Sequence, residues 1–150
     1  MIYNSIAIYL IFLNIATKPT DALRDRFRPG EVLRRGDELQ SSNGRFHLRF
    51  ANDVGAGGIL ALCLNVFELW QADTGTMRGD RVEMRPDGNL VVVDVGNQVL
   101  WQTMTTGSGN YAVVQDDANL VIYTSNNEKL WSTEVVLSKF TESLRFHSLS

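Results

Sequence analysis

Cysteine is nearly missing from this chain: Cys63 is the only one in 150 residues. An intrachain disulfide is thereby excluded, and so is a metal site built on paired cysteines. The apolar setting of Cys63, in the run LALCLNV, predicts a buried and inert thiol. Histidine is scarce too. Only His47 and His147 are present, and His47 alternates with Phe46 and Leu48 as a solvent-facing strand residue does. No grouping of serine or cysteine with histidine and an acid offers a nucleophile, and no carboxylate pair stands out for glycoside cleavage, so an enzyme is not expected. The neighbouring acids Asp116 and Asp117 lack the oxygen-ligand series of a calcium loop, so neither a metal nor a cofactor is expected. Lys and Arg number 14 against 17 acids, for a net charge of -3, and no basic run favours nucleic acid. No Asn-x-Ser/Thr acceptor for N-glycosylation exists.

Long apolar runs are also missing. The stretch Ile6 to Ile15 (IAIYLIFLNI) is too short to span a bilayer comfortably, and it has the length of a signal-peptide core. Thr20 and Ala22 fit the small-residue pattern before a cleavage point, although no Lys or Arg precedes the run. Residues 1–22 are therefore read as a signal peptide. A secreted, extracellular protein with no membrane contact after cleavage is expected.

What the chain does have is a repeat. Trp70, Trp101 and Trp131 stand 31 and then 30 residues apart. The segment Arg85-Pro86-Asp87-Gly88-Asn89-Leu90-Val91-Val92-Val93 precedes Trp101, and Gln115-Asp116-Asp117-Ala118-Asn119-Leu120-Val121-Ile122-Tyr123 precedes Trp131. Asp87/Asp117, Asn89/Asn119, Leu90/Leu120, Val91/Val121, Leu100/Leu130 and Thr103/Thr133 coincide at an offset of 30. Self-similarity at this period marks a repeated supersecondary unit, and three copies can close a shared core. Short alternating or β-branched runs, separated by Gly, Asn and Asp turns, read as antiparallel strands. No convincing helical period occurs between Gly30 and Thr133. The expected object is all-β, with three small sheets about a pseudo-threefold axis and the tryptophans pointing inward. The segment from Gly30 to Gln40 is expected to add a strand to the first or the third unit. In the first unit, Asn52 to Gly58 is expected to replace the compact turn with about three extra residues.

Gln115, Asp117, Asn119, Val121 and Tyr123 are spaced two apart, so they can line one face of a hairpin, although the turn at Asp117 could bend it. That face offers a carboxylate acceptor, two amides that donate and accept, a phenol and a small apolar contact. A hexopyranose needs this mixture, since its hydroxyls both donate and accept while its ring C–H groups want an apolar patch. The bland alternative is that Asp and Asn cap the turn while Val and Tyr pack.

The pattern Gln-x-Asp-x-Asn-x-Val-x-Tyr, found here from Gln115 to Tyr123, resembles the sugar-site signature of the monocot mannose-binding, or bulb-type, lectins. Together with the tryptophan repeat, the resemblance spans about Pro29 to Thr133. It implies the β-prism II fold over residues 23–134 and mannose-containing glycans as partners. It also implies roles: Asp117 and Asn119 on the axial 2-hydroxyl, Gln115 on the 3-hydroxyl, Tyr123 on the 4-hydroxyl and Val121 on the ring carbons. The second unit keeps Asp87, Asn89 and Val91 but has Arg85 and Val93 where the signature needs Gln and Tyr, so its site reads as degenerate. In the first unit, Ala51, Asp53, Gly58, Leu60 and Leu62 take the five places, and that site reads as lost. Residues 135–150 form a C-terminal tail. In this family subunits commonly pair by exchanging C-terminal strands, and Glu134 to Leu137, which is apolar and β-branched, is the candidate for such exchange in a homodimer. The competing function is a protein-interaction or structural module on the same fold that has lost sugar binding.

Overall fold

The computed structural model describes residues 24–53 and 57–140 of the 150-residue chain. The proposed signal peptide and the last ten residues lie outside the described residues. Among the described residues, twelve strands form three four-stranded antiparallel sheets. Three short N-terminal strands come first: β1 (Arg26–Phe27), β2 (Val32–Arg34) and β3 (Glu38–Gln40). Each repeat unit then supplies a three-stranded meander. The first unit has β4 (Phe46–Asp53), β5 (Gly57–Leu64) and β6 (Phe67–Gln71). The second has β7 (Arg81–Met84), β8 (Leu90–Val93) and β9 (Val99–Gln102), and the third has β10 (Tyr111–Val114), β11 (Leu120–Tyr123) and β12 (Lys129–Ser132).

The sheet orders are β3-β4-β5-β6, β2-β7-β8-β9 and β1-β10-β11-β12. The N-terminal segment thus runs past all three units and adds a strand to each. This refines the expectation for Gly30 to Gln40. The segment does reach the first unit through β3, but its other strand joins the second unit, and the third unit is completed by Arg26 and Phe27 further upstream. A two-residue strand carries no periodicity for a sequence reading to detect.

Alternation builds the core. Along β7 and β10 every second residue is buried, which puts Val82, Met84, Ala112 and Val114 inside. Leu90, Val92, Leu120 and Ile122 join them from β8 and β11, as do Leu48, Phe50, Leu60 and Leu62 from the first unit. At the centre Trp70, Trp101 and Trp131 meet edge to face, with ring centroids 5.4, 5.9 and 5.7 Å apart. That arrangement sets the positive edge of each ring on the negative face of the next. The tryptophans point inward, as the repeat predicts.

The first unit differs from expectation in register. The pairing of β4 with β5 extends to Asn52 with Gly58 and Asp53 with Gly57, inside the stretch read as an enlarged turn. Gly58 and Gly79 exchange backbone hydrogen bonds of 2.9 and 3.1 Å, which join this hairpin to the second unit. A Cβ on Gly58 would come within 2.1 Å of the Phe50 ring, so only glycine fits there.

Candidate functional site

The five signature residues sit on β10, β11 and the turn between them. Val113 pairs with Val121 and Tyr111 with Tyr123, while the Gln115 amide donates to the Asn119 carbonyl at 2.8 Å. Leu120 and Ile122 point into the core, so Asn119, Val121 and Tyr123 lie on the opposite, outer face. The structure brings Gln115, Asn119, Val121 and Tyr123 together there, with Asp117 on the turn above them. Gln115 Nε2 donates to the Tyr123 hydroxyl at 2.7 Å, spanning the row that holds Val121. Val121 is 1% exposed yet is not part of the core cluster, so it forms an apolar floor beneath its polar neighbours.

The turn is held by its own side chains. Asp117 is exposed, and its Oδ1 accepts the Asn119 amide at 3.1 Å. Ala118 occupies the left-handed region at φ 73, where its counterpart is Gly88 at φ 93. Asp116 turns away from the site and accepts the Asn43 amide at 2.9 Å, tying the third unit to the first. The adjacent acids therefore do not converge on one point. Among the described residues, no group of three or more His, Cys, Asp or Glu is placed to hold a metal ion.

Asn119 is the most engaged member of the site. Its Oδ1 accepts from the Val135 amide at 2.7 Å, from Thr133 Oγ1 at 3.1 Å and from Ser132 Oγ at 3.5 Å. Its Nδ2 has one long contact, 3.4 Å to the Val135 carbonyl. The carbonyl end is saturated, and the amino end faces the sheet surface as an available donor. The expected exchange segment, Glu134 to Leu137, is not a strand. Thr133 to Val136 is irregular, residues 137–140 make a single helical turn, and Val135 and Leu137 pack on the chain's own core. The hydrogen bonds to Asn119 explain this path, since they capture the Val135 peptide that an extended strand would carry away. Glu134 takes the left-handed conformation needed to present it, as Met104 does at the matching place, at φ 53 and 57.

A second structural support was missed in the sequence. Tyr111 stacks on Tyr123 with centroids 5.9 Å apart and planes at 28°, and the Arg26 guanidinium lies 5.5 Å from the Tyr111 ring centre. Tyr111 also donates its hydroxyl hydrogen to Asn127 Oδ1 at 2.5 Å. The signal was available, because Tyr111 stands two residues before Val113 on the alternating strand.

The second unit has the same backbone with different occupants. Arg85 and Val93 stand at the Gln115 and Tyr123 places, and Arg81 and Glu83 at those of Tyr111 and Val113. Glu83 accepts from Arg81 Nε at 2.7 Å and from Arg85 Nε at 2.9 Å. Burial opposes ionisation of Glu83, but the two arginines outweigh it and hold its carboxyl below the usual range. Beneath this ladder Val91 is fully buried. Asp87 keeps the same turn bond as Asp117, to the Asn89 amide at 3.1 Å.

In the first unit the one-to-one assignment needs correcting. Leu60 and Leu62 are core residues paired like Leu120 and Ile122, so they do not take the valine and tyrosine places. Register puts Ile59, Ala61 and Cys63 at the Asn119, Val121 and Tyr123 positions, with Ala51 at that of Gln115. A slip of one residue in an eight-residue strand exchanges the faces. The glutamine, asparagine and tyrosine of the signature are missing in either alignment. Cys63 is buried as expected, and burial raises its thiol above the ordinary value.

No family model matches the sequence, and no curated protein matches it. Solved structures do. A Marasmius oreades lectin is 30% identical, with a TM-score of 0.68 over 75% of this chain and 92% of its own. A monomeric monocot mannose-binding lectin from Gastrodia elata is 28% identical, with a TM-score of 0.63 over 75% and 99%. The mannose-specific snowdrop (Galanthus nivalis) agglutinin, solved with methyl-α-D-mannoside, is 29% identical, with a TM-score of 0.57 over 73% and 95%.

Proposed function

Since the chain belongs to the monocot mannose-binding, bulb-type lectin family, with its β-prism II fold, we propose that it is a secreted lectin that binds mannose-containing glycans through the outer face of the third unit. It is a binding protein and not an enzyme, as are the lectins it resembles. The observation that carries the assignment is the convergence of Gln115, Asn119 and Tyr123 over the Val121 floor, fastened by the 2.7 Å bond between Gln115 and Tyr123. Sugar hydroxyls replace or extend that bond. Asp117 supplies the charged acceptor, Asn119 Nδ2 the donor, and Val121 the contact for ring carbons.

Each net hydrogen bond contributes about 0.5–1.5 kcal/mol, so a shallow pocket with three or four of them binds with an affinity on the order of millimolar after the cost of association. Retention on a glycan-coated surface then calls for several sites, and a homodimer serves that end. Secretion rests on the apolar run Ile6 to Ile15.

The test is retention of labelled protein on immobilised mannan. Elution by free mannose, unchanged in EDTA, is expected. Passage of the folded protein through the column without retention would refute the reading.

A further inference from the structure

The repeat supplies an internal control that the five-residue signature does not contain. Asn89 and Asn119 occupy the same place, with the same aspartate on the turn and the same threonine behind. Thr103 Oγ1 donates to Asn89 Oδ1 at 3.1 Å, as Thr133 Oγ1 does to Asn119 Oδ1. The same threonine oxygens accept the amides of Leu90 and Leu120 at 3.2 and 3.1 Å. The two asparagines differ at their amino ends. Asn89 Nδ2 donates to Gln102 Oε1 at 2.8 Å. In the third unit the matching residue is Ser132, which pairs across from Val121 as Gln102 does from Val91. A serine side chain is too short to repeat that contact. Its Oγ instead lies 3.5 Å from Asn119 Oδ1 and accepts the Glu134 amide at 3.2 Å. The first unit, whose pocket is lost, also has a glutamine there: Gln71 pairs with Ala61.

We propose that Ser132 is a competence-determining position of the third-unit pocket, because a short residue opposite the valine floor leaves the Asn119 amino group with only a long 3.4 Å contact to the Val135 carbonyl, so that it can still donate to a ligand. Thr133 and the Val135 amide are positioning groups in the same device, since they saturate Asn119 Oδ1 and fix which end of the amide is presented. Gln102 quenches its own asparagine and extends along the row that holds Val91. A single substitution outside the signature therefore weakens a pocket of this kind.

This inference rests on the mannose reading, and two readouts separate them. Ser132→Gln places the second unit's solution in the third. Mannan retention is expected to weaken about tenfold, the consequence of one hydrogen bond of about 1.4 kcal/mol. Ser132→Ala stays within about twofold, because the serine contact is long. Thermal melting and tryptophan fluorescence verify that both variants keep the prism. In the sugar-free protein, NMR exchange of the side-chain amides reads the donor directly. The Asn89 amide is expected to exchange more slowly than that of Asn119, and Ser132→Gln is expected to slow Asn119 to match. A Ser132→Gln variant that binds mannan like the parent, or leaves Asn119 exchange unmoved, overturns the inference. A parent that ignores mannan while the amide exchange shifts as expected removes the mannose reading and leaves the assignment of the available donor standing.

Discussion

The second and third units share a backbone and three of five signature residues, yet their outer faces do opposite things with their polar groups. In the third unit Gln115, Asn119 and Tyr123 are fixed at one end and open at the other. In the second, Arg81, Glu83 and Arg85 use each other as partners, and Gln102 caps Asn89. A polar face with its hydrogen bonds already satisfied gains little from a ligand, because binding only exchanges one set of bonds for another. The comparison therefore teaches that a binding face is lost through internal saturation as well as through missing residues. In the second unit Asp87 still holds the turn, and Asn89 bonds Thr103 and Gln102.

The largest expected effect breaks the comparison at its shared aspartate. Asp117→Asn keeps an oxygen to accept the Asn119 amide, so the turn persists, but the charged acceptor for the sugar is gone. Mannose binding is expected to fall beyond detection on a mannan column, since a hydrogen bond to a charged group contributes about 1.5–3 kcal/mol and the ligand is weak. Asp87→Asn, at the twin position, is expected to leave mannan retention unchanged. Equal effects from the two substitutions would mean that both act through the fold.

The next effect belongs to the second face alone. Glu83 carries a carboxyl held below its ordinary value of 4.5, with 19% of its side chain exposed. A depressed folded-state value means that its stabilisation is fully present above the unfolded value and is lost as pH falls through the folded one. Glu83→Gln is therefore expected to lower stability at neutral pH by about 1–3 kcal/mol, in part because a neutral amide offers one acceptor oxygen where the carboxylate offers each arginine its own. The gap between variant and parent should close as pH drops below 4.5. Urea midpoints from neutral pH into that acid range measure it. Val113→Ala, at the matching third-unit position, should give a gap that does not vary with pH.

Much of this contrast was legible in the sequence, and the parts that were not have identifiable reasons. The tryptophan spacing and the matched Asp-x-Asn turns specify three units, because a repeated turn with left-handed residues admits few alternatives. Arg85 and Val93 mark the second site as degenerate. The placement of β1, β2 and β3 was hidden, because strands this short carry almost no pattern. The first-unit register is off by one residue in the sequence, because strand pairing extends to Asp53 and Gly57, inside the stretch read as an enlarged turn. The tail's role was invisible for a different reason. Asn119 binds the peptide group of Val135, and any residue supplies the same N–H and C=O. Ser132 against Gln102 could be read from the aligned repeats, but a five-position signature gave no cause to look on the neighbouring strand.

The smallest expected effect sharpens the comparison at the edge of the site. Tyr123 is held from one side by Tyr111, which is itself covered by Arg26, and the matching residues of the second unit are Val93, Arg81 and Val32. That unit has no aromatic pair. Tyr111 does not reach the proposed sugar contacts, and its hydroxyl is spent on Asn127, so it acts through the ring of Tyr123. An aromatic pair of this kind contributes about 0.5–1.5 kcal/mol beyond the area it buries. Tyr111→Leu is therefore expected to weaken mannose binding by a factor of about three to five, through a looser Tyr123 hydroxyl. Tyr111→Phe keeps the stack and removes only the bond to Asn127, and its binding should match the parent. Competition on a mannan surface measures both. If phenylalanine weakens binding as much as leucine does, the hydroxyl matters and the stack does not, and the support for Tyr123 would then run through the Asn127 turn.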